Sequence, residues 1–443
     1  MTATGLETVV GLEVHTELKT ATKLFCGCRN RFGDEPNTNV CPVCLGLPGS
    51  LPVLNRRAVE LAMAIGTALE CEIRPSIFHR KNYFYPDMPK DYQISQYDEP
   101  INVGGHLTLP DGTVVGIVRA HIEEDTGKTT HVGETGRIHG ADRALVDYNR
   151  AGVPLVEIVS APDLRSGEAA RAYVTELRAI LVATGASDGR MEEGSLRVDA
   201  NVSVREPGAP FGTRCEVKNM NSLRSLQRAV EHEAERQAAV VAAGGTVEQE
   251  TRHWDEDAGR TVPLRSKEEA YDYRYFPEPD LLPLAPDAKW RAAVAASLPP
   301  MPRARRAVLV ERLGTVTVAL ARVANEVAAL GDPHRLDASG VVALLAMEAR
   351  GDLSATQTKA VLQRMAETGE DPDAIAAAMG LEQIGEDALD ATLDAVIAAH
   401  TDEWARYREG DEKLAQFFVG QVMRETGGKA DGKAVVAGLV RRR

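Results

Sequence analysis

The pattern of apolar residues changes near residue 280, and this change restricts the fold of the chain more than any other feature of its sequence. Before it, alternating segments such as HLTLPDGTVVGIVRAHI (106–122) and SLRVDANVSVR (195–205) predict strands, and the Asp-Gly pair at 111–112 predicts a hairpin turn. Segments with helical apolar spacing, RRAVELAMAIGTALE and GEAARAYVTELRAILVAT, lie between them. Strand groups mixed with helices predict an α+β fold with a mixed or antiparallel sheet.

The chain after FPEPDLLPLAPD is rich in Ala, Leu, Val and Glu, and its apolar residues recur at helical spacing. The segments that carry this pattern are AVLQRMAETG, PDAIAAAMGL, LDATLDAVIAAH and EKLAQFFVGQVMRE. We therefore predict all-helical C-terminal domains. The predicted borders are 1–293 for an N-terminal catalytic domain, 294–379 for a helical domain and 380–443 for a helical tail domain.

Composition limits the class of protein. A chain of 443 residues that is 44% hydrophobic and 26% charged is typical of a globular protein of two or three domains. It has no apolar run long enough for a membrane span and no signal peptide pattern, which predicts a cytoplasmic protein. The net charge of −14 argues against indiscriminate nucleic-acid binding. The tail that carries Lys429, Lys433 and Arg441–Arg443 is either a local nucleic-acid contact or a solubilising terminus.

Four of the six cysteines are clustered. Cys26 and Cys28 form a Cys-x-Cys pair, and Cys41 and Cys44 follow as Cys-x-x-Cys. Two short turns of this spacing can present four thiolates to one tetrahedral ion, which predicts a structural zinc site without an open position for water. A redox pair or structural thiols are the alternatives.

The segment VGLEVHTELKT (10–20) places Glu13, His15 and Glu17 on one face of a predicted strand. An amphipathic strand with a solvated polar face would show the same alternation. Polar alternation recurs in LRVDANV, where Arg197, Asp199 and Asn201 share a face.

Further acidic residues lie in HIEEDTGK and CEVKN. Glu123, Glu124 and Asp125 form either a solvated turn or ligands, and Glu216 and Lys218 alternate along CEVKN. The Gly-Lys-Thr of HIEEDTGKTT is not the end of a P-loop, because Ile122 occupies the position where that motif needs glycine. If these strands converge, their carboxylates suit Mg²⁺ bound to nucleotide phosphates.

Long motifs of the N-terminal part make the chain resemble the B subunits of the aspartyl/glutamyl-tRNA amidotransferases. They run in family order over residues 9–283, whereas the C-terminal helices match more weakly, best at FFVGQVM. The matching stretches are VGLEVHTELKT, KNYFYPDMPKDYQISQYDEPI, HIEEDTGK, DYNRAGVPLVEIVS, MEEGSLRVDANVSVR, EVKNMNS and YDYRYFPEPDL.

The resemblance implies one component of a heterotrimeric enzyme, which uses ATP and Mg²⁺ to phosphorylate the side-chain carboxylate of misacylated Glu-tRNA(Gln) or Asp-tRNA(Asn). Ammonia released from glutamine by an amidase partner, the A subunit, would reach it through a channel and displace phosphate. A small third partner, the C subunit, would join the other two. The acidic body and the basic tail of the chain further predict that the helical tail contacts tRNA.

Carried over by position, the resemblance implies a set of site residues. The catalytic and Mg²⁺-binding positions are Glu13, His15, Glu124 and Glu216. Asp199 is a further ligand candidate, and Lys81, Tyr83 and Lys90 are candidates for the polar lining near cofactor and channel. The aromatic segment around Tyr83 is equally compatible with ordinary core packing. Since some family members lack the cysteines, zinc would support stability and not the reaction.

Two other functions remain open from the residues alone. One is a non-catalytic zinc-containing tRNA-binding protein, which would need no ATP. The other is a stand-alone ATP-dependent ligase that uses free ammonia. Measuring ATP cleavage with and without misacylated tRNA would distinguish the tRNA-binding protein from the amidotransferase component. Dependence on a glutaminase partner would distinguish the stand-alone ligase from it.

Overall fold

A computed structural model describes residues 5–133, 141–264, 273–304, 337–381, 386–412, 414–427, 430 and 432–443. The chain divides into two compact units, Met1–Pro302 and Arg303–Arg443. The predicted border at residue 293 falls within a helix of the first unit, Ala288–Ala296.

The first unit contains all the described strands and the helices that pack around them. Its described strands are β1 (Glu7–Glu17), β2 (Glu72–Ile73), β3 (His79–Asn82), β4 (Tyr92–Ser95), β5 (Asn102–Thr108), β6 (Val114–Glu124), β7 (Lys128–Gly133), β8 (Ala141–Asp147), β9 (Pro154–Ser160), β10 (Leu196–Arg205), β11 (Cys215–Lys218), β12 (Thr251–Asp255), β13 (Arg260–Pro263) and β14 (Phe276–Pro277). Its described helices are α1 (Arg56–Ala68), α2 (Gly167–Ala183), α3 (Leu223–Ala242) and α4 (Ala288–Ala296).

One mixed sheet organises this unit, as predicted. Its strand order is β13-β12-β11-β10-β1-β9-β6-β4-β3-β14, with β5 paired to β6 and β2 paired to β5. β1 lies antiparallel to both β9 and β10, whereas β11 and β12 are parallel. β7 and β8 form a separate two-stranded ribbon. The predicted Asp-Gly hairpin joins β5 to β6, and Gly112 there has a φ of 91°, which glycine adopts without strain.

The two faces of the sheet differ in chemistry. Leu12, Val14, Val198 and Ala200 are buried in one core cluster with apolar residues of α1, α2 and α3. The alternate residues of β10 and of the Glu13–Glu17 part of β1 face the other side and are polar, as their sequence alternation predicted. Burying one such leucine or valine stabilises the fold by about 1.5–3 kcal/mol, which fixes the register and hence which side chains face away from the core.

Local sequence signals define the helices of this unit. Asn55, Ser166 and Ser222 each cap a helix by accepting hydrogen bonds from backbone N–H groups of its first turn. Gly66 allows α1 to approach β5 closely, because a Cβ there would lie 2.0 Å from the Asn102 side chain. Asn102 in turn donates to the backbone oxygens of Ala62 and Ala120, which ties helix to sheet.

The described part of the second unit is helical, which confirms that prediction. Its helices are α5 (Ala338–Arg350), α6 (Ala355–Thr368), α7 (Pro372–Ala378), α8 (Glu386–Ala399), α9 (Thr401–Arg408), α10 (Leu414–Glu425) and α11 (Gly432–Arg442). One apolar core joins α5, α6 and α7, and another joins α8–α11. Gly380, with a φ of 62°, lies between the two groups. Among the helices described, none is both long and apolar enough to cross a membrane.

Candidate active site and metal centres

A cavity of about 760 Å³ lies over the polar face of the central strands. Five adjacent strands, in the order β11-β10-β1-β9-β6, supply most of its acidic and basic groups. These groups are Glu216 and Lys218 from β11, Asp199 from β10, Glu13 and His15 from β1, Glu157 from β9, and Arg119, His121 and Glu123 from β6. The predicted residues Lys81 and Tyr83 line the same cavity.

Strand register brings these side chains together across the sheet. Glu13 pairs with Asp199 on one side, and His15 pairs with Glu157 on the other. Glu157 also lies opposite His121 on β6. Neighbouring strands are about 4.8 Å apart, so side chains in register on the same face can share one small ligand.

One imidazole and two carboxylates converge at the β1–β9–β6 end of the cavity. His15 Nε2 lies 3.6 Å from Glu157 Oε2 and 3.7 Å from Glu123 Oε1. One ligand atom from each of the three residues lies within 4.8 Å of the others. Neutral imidazole and carboxylate oxygen are common ligands of divalent cations, so this cluster could hold a metal ion.

The electrostatics of this cluster reflect two carboxylates held close together. Burial and the nearby charge of Glu157 raise the pKa of Glu123 to about 7. Burial alone would lower the pKa of His15, but its hydrogen bond to Glu157 and the charges of Glu157 and Glu123 raise that pKa to about 9. A proton on His15 thus supplies the positive charge that a bound cation would replace.

A second group of polar side chains occupies the β1–β10–β11 end. Glu13 accepts a hydrogen bond from Asn201 Nδ2 at 2.9 Å. The Lys218 ammonium donates to Asp199 and lies 3.2 Å from Glu216 Oε1. Burial opposes the charged form of Lys218, but these two carboxylates outweigh it and raise the pKa of the lysine. Two carboxylates, Asp199 and Glu216, thus surround one ammonium.

Glu124 and Lys90 lie outside this cavity. The buried Glu124 carboxylate accepts hydrogen bonds from the Lys90 ammonium and from the backbone N–H of Ile94, at 2.9 Å for the latter. Both residues line a cavity of about 60 Å³ beside the cysteines instead. The structure therefore brings Glu13, His15, Asp199 and Glu216 together and leaves out Glu124, because consecutive residues of a strand face opposite sides.

Sequence reasoning missed several residues of the cavity, among them Glu157, His121 and Arg119. Glu157 had a usable signal, since it is the only charged residue in the apolar strand PLVEIVS. His121 and Glu123 lie two residues apart on β6 and hence share a face.

Tyrosines form another wall of the cavity. Tyr97 stacks on Tyr275 with ring centroids 5.1 Å apart, and Arg119 lies 4.7 Å from the Tyr97 centroid. Lys81 lies 4.5 Å from the ring centroid of Tyr273. The aromatic rings orient both cations, and Arg119 also lies 3.5 Å from Glu157 Oε1.

The four clustered cysteines form a separate centre. Their Sγ atoms all lie within 4.8 Å of one another, and those of Cys41 and Cys44 are 3.9 Å apart. In a tetrahedral zinc site with Zn–S bonds of about 2.3 Å, sulfurs are about 3.8 Å apart. The hydrogen bond from Cys26 and the positive charge of Lys23 contribute to lowering the pKa of Cys44 to about 4. The arrangement could bind a metal as the spacing predicted.

Both parts of the chain match known families. Residues 8–292 match the family model described as the GatB/GatE catalytic domain, and residues 314–442 match that of the GatB domain. Curated relatives named as the B subunit of an aspartyl/glutamyl-tRNA(Asn/Gln) amidotransferase are similar over nearly the whole chain. The relative from Frankia casuarinae is 49% identical over 97% of this chain and 94% of its own length. The relative from Anaeromyxobacter sp. is 47% identical over 100% of this chain and 99% of its own length. The relative from Nocardia farcinica is 50% identical over 97% of this chain and 94% of its own length.

Proposed function

This chain belongs to the family of B subunits of the aspartyl/glutamyl-tRNA(Asn/Gln) amidotransferases, and we propose that its large cavity is where the side-chain carboxylate of a misacylated tRNA is activated. The chain is one component of a glutamine-dependent, ATP-using ligase of protein synthesis. The substrates would be Glu-tRNA(Gln), Asp-tRNA(Asn) or both, and the products Gln-tRNA(Gln) or Asn-tRNA(Asn).

The observation that carries this proposal is the convergence of acidic and basic side chains from five strands in one cavity. A carboxylate does not react with ammonia until one of its oxygens becomes a leaving group. Its oxygen therefore attacks the γ-phosphorus of ATP, ADP leaves, and an acyl phosphate forms. Ammonia then attacks the acyl carbon, phosphate leaves with the C–O bond electrons, and the nitrogen loses a proton.

The residues of the cavity suit the charges of this reaction. His15, Glu123 and Glu157 would hold a divalent cation, with Glu13, Asp199 and Glu216 beside them. A bound Mg²⁺ would neutralise phosphate charge and orient the nucleotide. Lys81 and Arg119, which lie over the rings of Tyr273 and Tyr97, would contact phosphate oxygens. Glu124 is a proposed ligand only by family position, since its carboxylate is engaged by Lys90.

Membership of this family implies an enzyme of several different chains. We propose an amidase partner, the A subunit, as the source of ammonia and a small C subunit that joins the two. Lys81 and Tyr83, which line the cavity, would meet the arriving ammonia, with Lys90 further along its path. Zinc on Cys26, Cys28, Cys41 and Cys44 would fix the loops that carry them, away from the reaction.

The experiment compares Glu13→Gln with Glu72→Gln in the assembled enzyme. Glu13 faces the cavity, whereas the side chain of Glu72 is 62% exposed on another strand. ATP cleavage driven by misacylated tRNA should fall by orders of magnitude for Glu13→Gln only, and basal glutamine hydrolysis should persist in both. Equal tRNA-driven ATP cleavage in the two variants would refute the proposed site. Absence of such cleavage in the unaltered enzyme would favour a non-catalytic tRNA-binding protein, and full activity without the amidase partner would favour an ammonia-using ligase.

A further inference from the structure

Thr251 is a buried threonine that lines the large cavity from β12, the strand next to β11. Its hydroxyl donates a hydrogen bond to Glu216 Oε2 at 3.1 Å. The two strands are parallel, and Thr251 is in register with Glu216, so both side chains lie on the same face of the sheet. Register thus places one hydroxyl directly beside one carboxylate of the cavity.

The Glu216 carboxylate has a donor at each of its two oxygens. Thr251 binds Oε2, and the Lys218 ammonium lies 3.2 Å from Oε1. That ammonium is shared, because it also donates to Asp199. A carboxylate accepts hydrogen bonds in about four lone-pair directions, so Glu216 can be held by these donors and still face a ligand in the cavity.

The residue after Thr251 fixes the strand from the other side of the sheet. Arg252 faces α3, where its Nε lies 3.4 Å from Oε2 of the buried Glu233, and it donates to the backbone oxygen of Thr261 at 3.0 Å. The Thr261 hydroxyl, on β13, donates to Glu233 Oε2 at 2.8 Å. Because successive residues of a strand face opposite sides, anchoring Arg252 to α3 directs Thr251 toward the cavity.

We propose that Thr251 is a positioning residue for the activation of the substrate carboxylate, because its hydroxyl holds the Glu216 carboxylate in the orientation that the reaction uses. The inference rests on the proposed function, in which Glu216 lies beside the bound cation. The terminal torsion of a glutamate is broad, so a carboxylate that loses this donor can rotate away. Removing a hydrogen bond that orients a group at a metal site typically costs about 10- to 100-fold in metal affinity or activity.

The test compares Thr251→Val, Thr251→Ser and Thr261→Val in the assembled enzyme. Valine keeps the shape of threonine without the hydroxyl, whereas serine keeps the hydroxyl. Thr261→Val is the matched control, because it loses a hydrogen bond of the same kind, from a buried threonine to a buried glutamate, on the opposite face of the same strand pair. The measurements are ATP cleavage driven by misacylated tRNA as a function of free Mg²⁺ at saturating ATP, and thermal unfolding.

Thr251→Val should raise the free Mg²⁺ concentration for half-maximal ATP cleavage by about tenfold or more, and Thr251→Ser should restore it. Thr261→Val should lower the unfolding temperature and leave the Mg²⁺ dependence unchanged. Thr251→Ala, which cannot clash with its neighbours, should shift the Mg²⁺ dependence in the same direction and replaces the valine variant if that one does not fold. An unchanged Mg²⁺ dependence without the hydroxyl, or an equal shift in Thr261→Val, would overturn the inference.

Glu216→Gln separates this inference from the proposed function. If Glu216→Gln impairs tRNA-driven ATP cleavage and Thr251→Val matches the unaltered enzyme, only the role of Thr251 is refuted. If Glu216→Gln itself leaves both the rate and its Mg²⁺ dependence unchanged, the proposed place of Glu216 in the site is refuted together with the role of Thr251.

Discussion

Glu123 and Glu124 are consecutive in the chain, yet their carboxylates lie on opposite faces of the sheet. Glu123 Oε1 is 3.7 Å from His15 Nε2 in the large cavity, and the Glu124 carboxylate is bound by Lys90 beside the cysteines. The two positions should therefore respond differently to the same substitution.

We expect Glu123→Gln to lower ATP cleavage driven by misacylated tRNA by orders of magnitude while the protein stays folded, because a charged ligand of the proposed divalent cation is lost. Glu124→Gln should chiefly lower thermal stability, since it breaks a buried ion pair. The measurements are tRNA-dependent ATP cleavage and thermal unfolding for both variants. The reverse pattern would place the reacting groups on the Glu124 face.

The Lys90–Glu124 pair allows a second prediction. Both side chains are more than nine-tenths buried, so Lys90→Met leaves a buried carboxylate unpaired and should cost about 3–5 kcal/mol of unfolding free energy. Arg74→Met, which breaks an exposed pair with Glu72, should cost less than about 1 kcal/mol. Denaturant unfolding measures both, and the double variant Lys90→Met, Glu124→Gln should recover part of the loss. Equal costs for the two single variants would show that the pair is solvated.

Much of the fold follows from the sequence, because its alternation and spacing are local signals. The segments around His15 and Asp199 alternate polar and apolar residues, and the structure has them as β1 and β10 with the predicted faces. The neighbours of β1 could not be predicted in this way. Glu13 pairs with Val159 and with Asp199, and these contacts across some 150 to 190 residues depend on how the whole sheet is assembled.

Contacts between residues far apart in the sequence also limit how much of the candidate site could be predicted. Ala120 and Ile122 are buried in the core, so the alternation on β6 turns His121 and Glu123 toward the cavity. Glu124 falls on the apolar side, where a lone carboxylate is unfavourable. The partner that makes it tolerable, Lys90, is 34 residues away in the sequence, and no local pattern predicts it.

Glu17, the third polar residue of the β1 face, predicts how stability depends on pH. Burial, and then the charge of Asp125, raise the pKa of Glu17 to about 8 in the folded protein, although Arg197 and Arg150 oppose this. The pKa of an unfolded glutamate is about 4.3. The folded state therefore binds the extra proton between these values, and stability falls by up to about 1.4 kcal/mol per pH unit as pH rises from about 4.5 to 8.

We expect Glu17→Gln to remove this slope. The unfolding free energy of the variant minus that of the unaltered protein should increase from pH 5.5 to pH 8. The reason is that glutamine resembles the protonated acid and needs no proton. Denaturant unfolding at both pH values measures the difference. Parallel pH profiles for the two proteins would show that Glu17 ionises normally in the folded state.

The cysteine cluster predicts one tightly bound zinc per chain. Cys41→Ser should abolish stoichiometric zinc and lower the unfolding temperature, while ATP cleavage per folded molecule changes little, because four thiolates leave no open position on the ion. Cys71→Ser is the matched control, since that cysteine lies outside the cluster. Zinc analysis, thermal unfolding and tRNA-driven ATP cleavage are the measurements. Lost activity with unchanged stability and zinc content would contradict a structural role.

The C-terminal arginines are not free cations in the structure. Arg442 lies 2.7 Å from Asp394, Arg441 lies 3.6 Å from Asp390, and Arg443 lies 3.6 Å from Glu412. Lys429 and the side chain of Lys433, the other basic residues of this tail, lie outside the described residues. Because exposed ion pairs contribute about 0–1 kcal/mol, tRNA phosphates can replace these carboxylates at little cost.

If the helical tail contacts tRNA, replacing Arg441, Arg442 and Arg443 with glutamine in the assembled enzyme should weaken tRNA binding and flatten its dependence on salt. Each phosphate contact that is lost reduces the number of counterions released on binding. The slope of log affinity against log salt concentration should therefore become less steep by about 0.7–0.9 per contact. Glutamine in place of Arg350 and Arg364, whose exposed side chains lie in the preceding helical group, is the matched control. Binding of misacylated tRNA at several salt concentrations measures the slopes. A slope unchanged by the triple substitution and also by deletion of residues 380–443 would place tRNA recognition elsewhere in the enzyme.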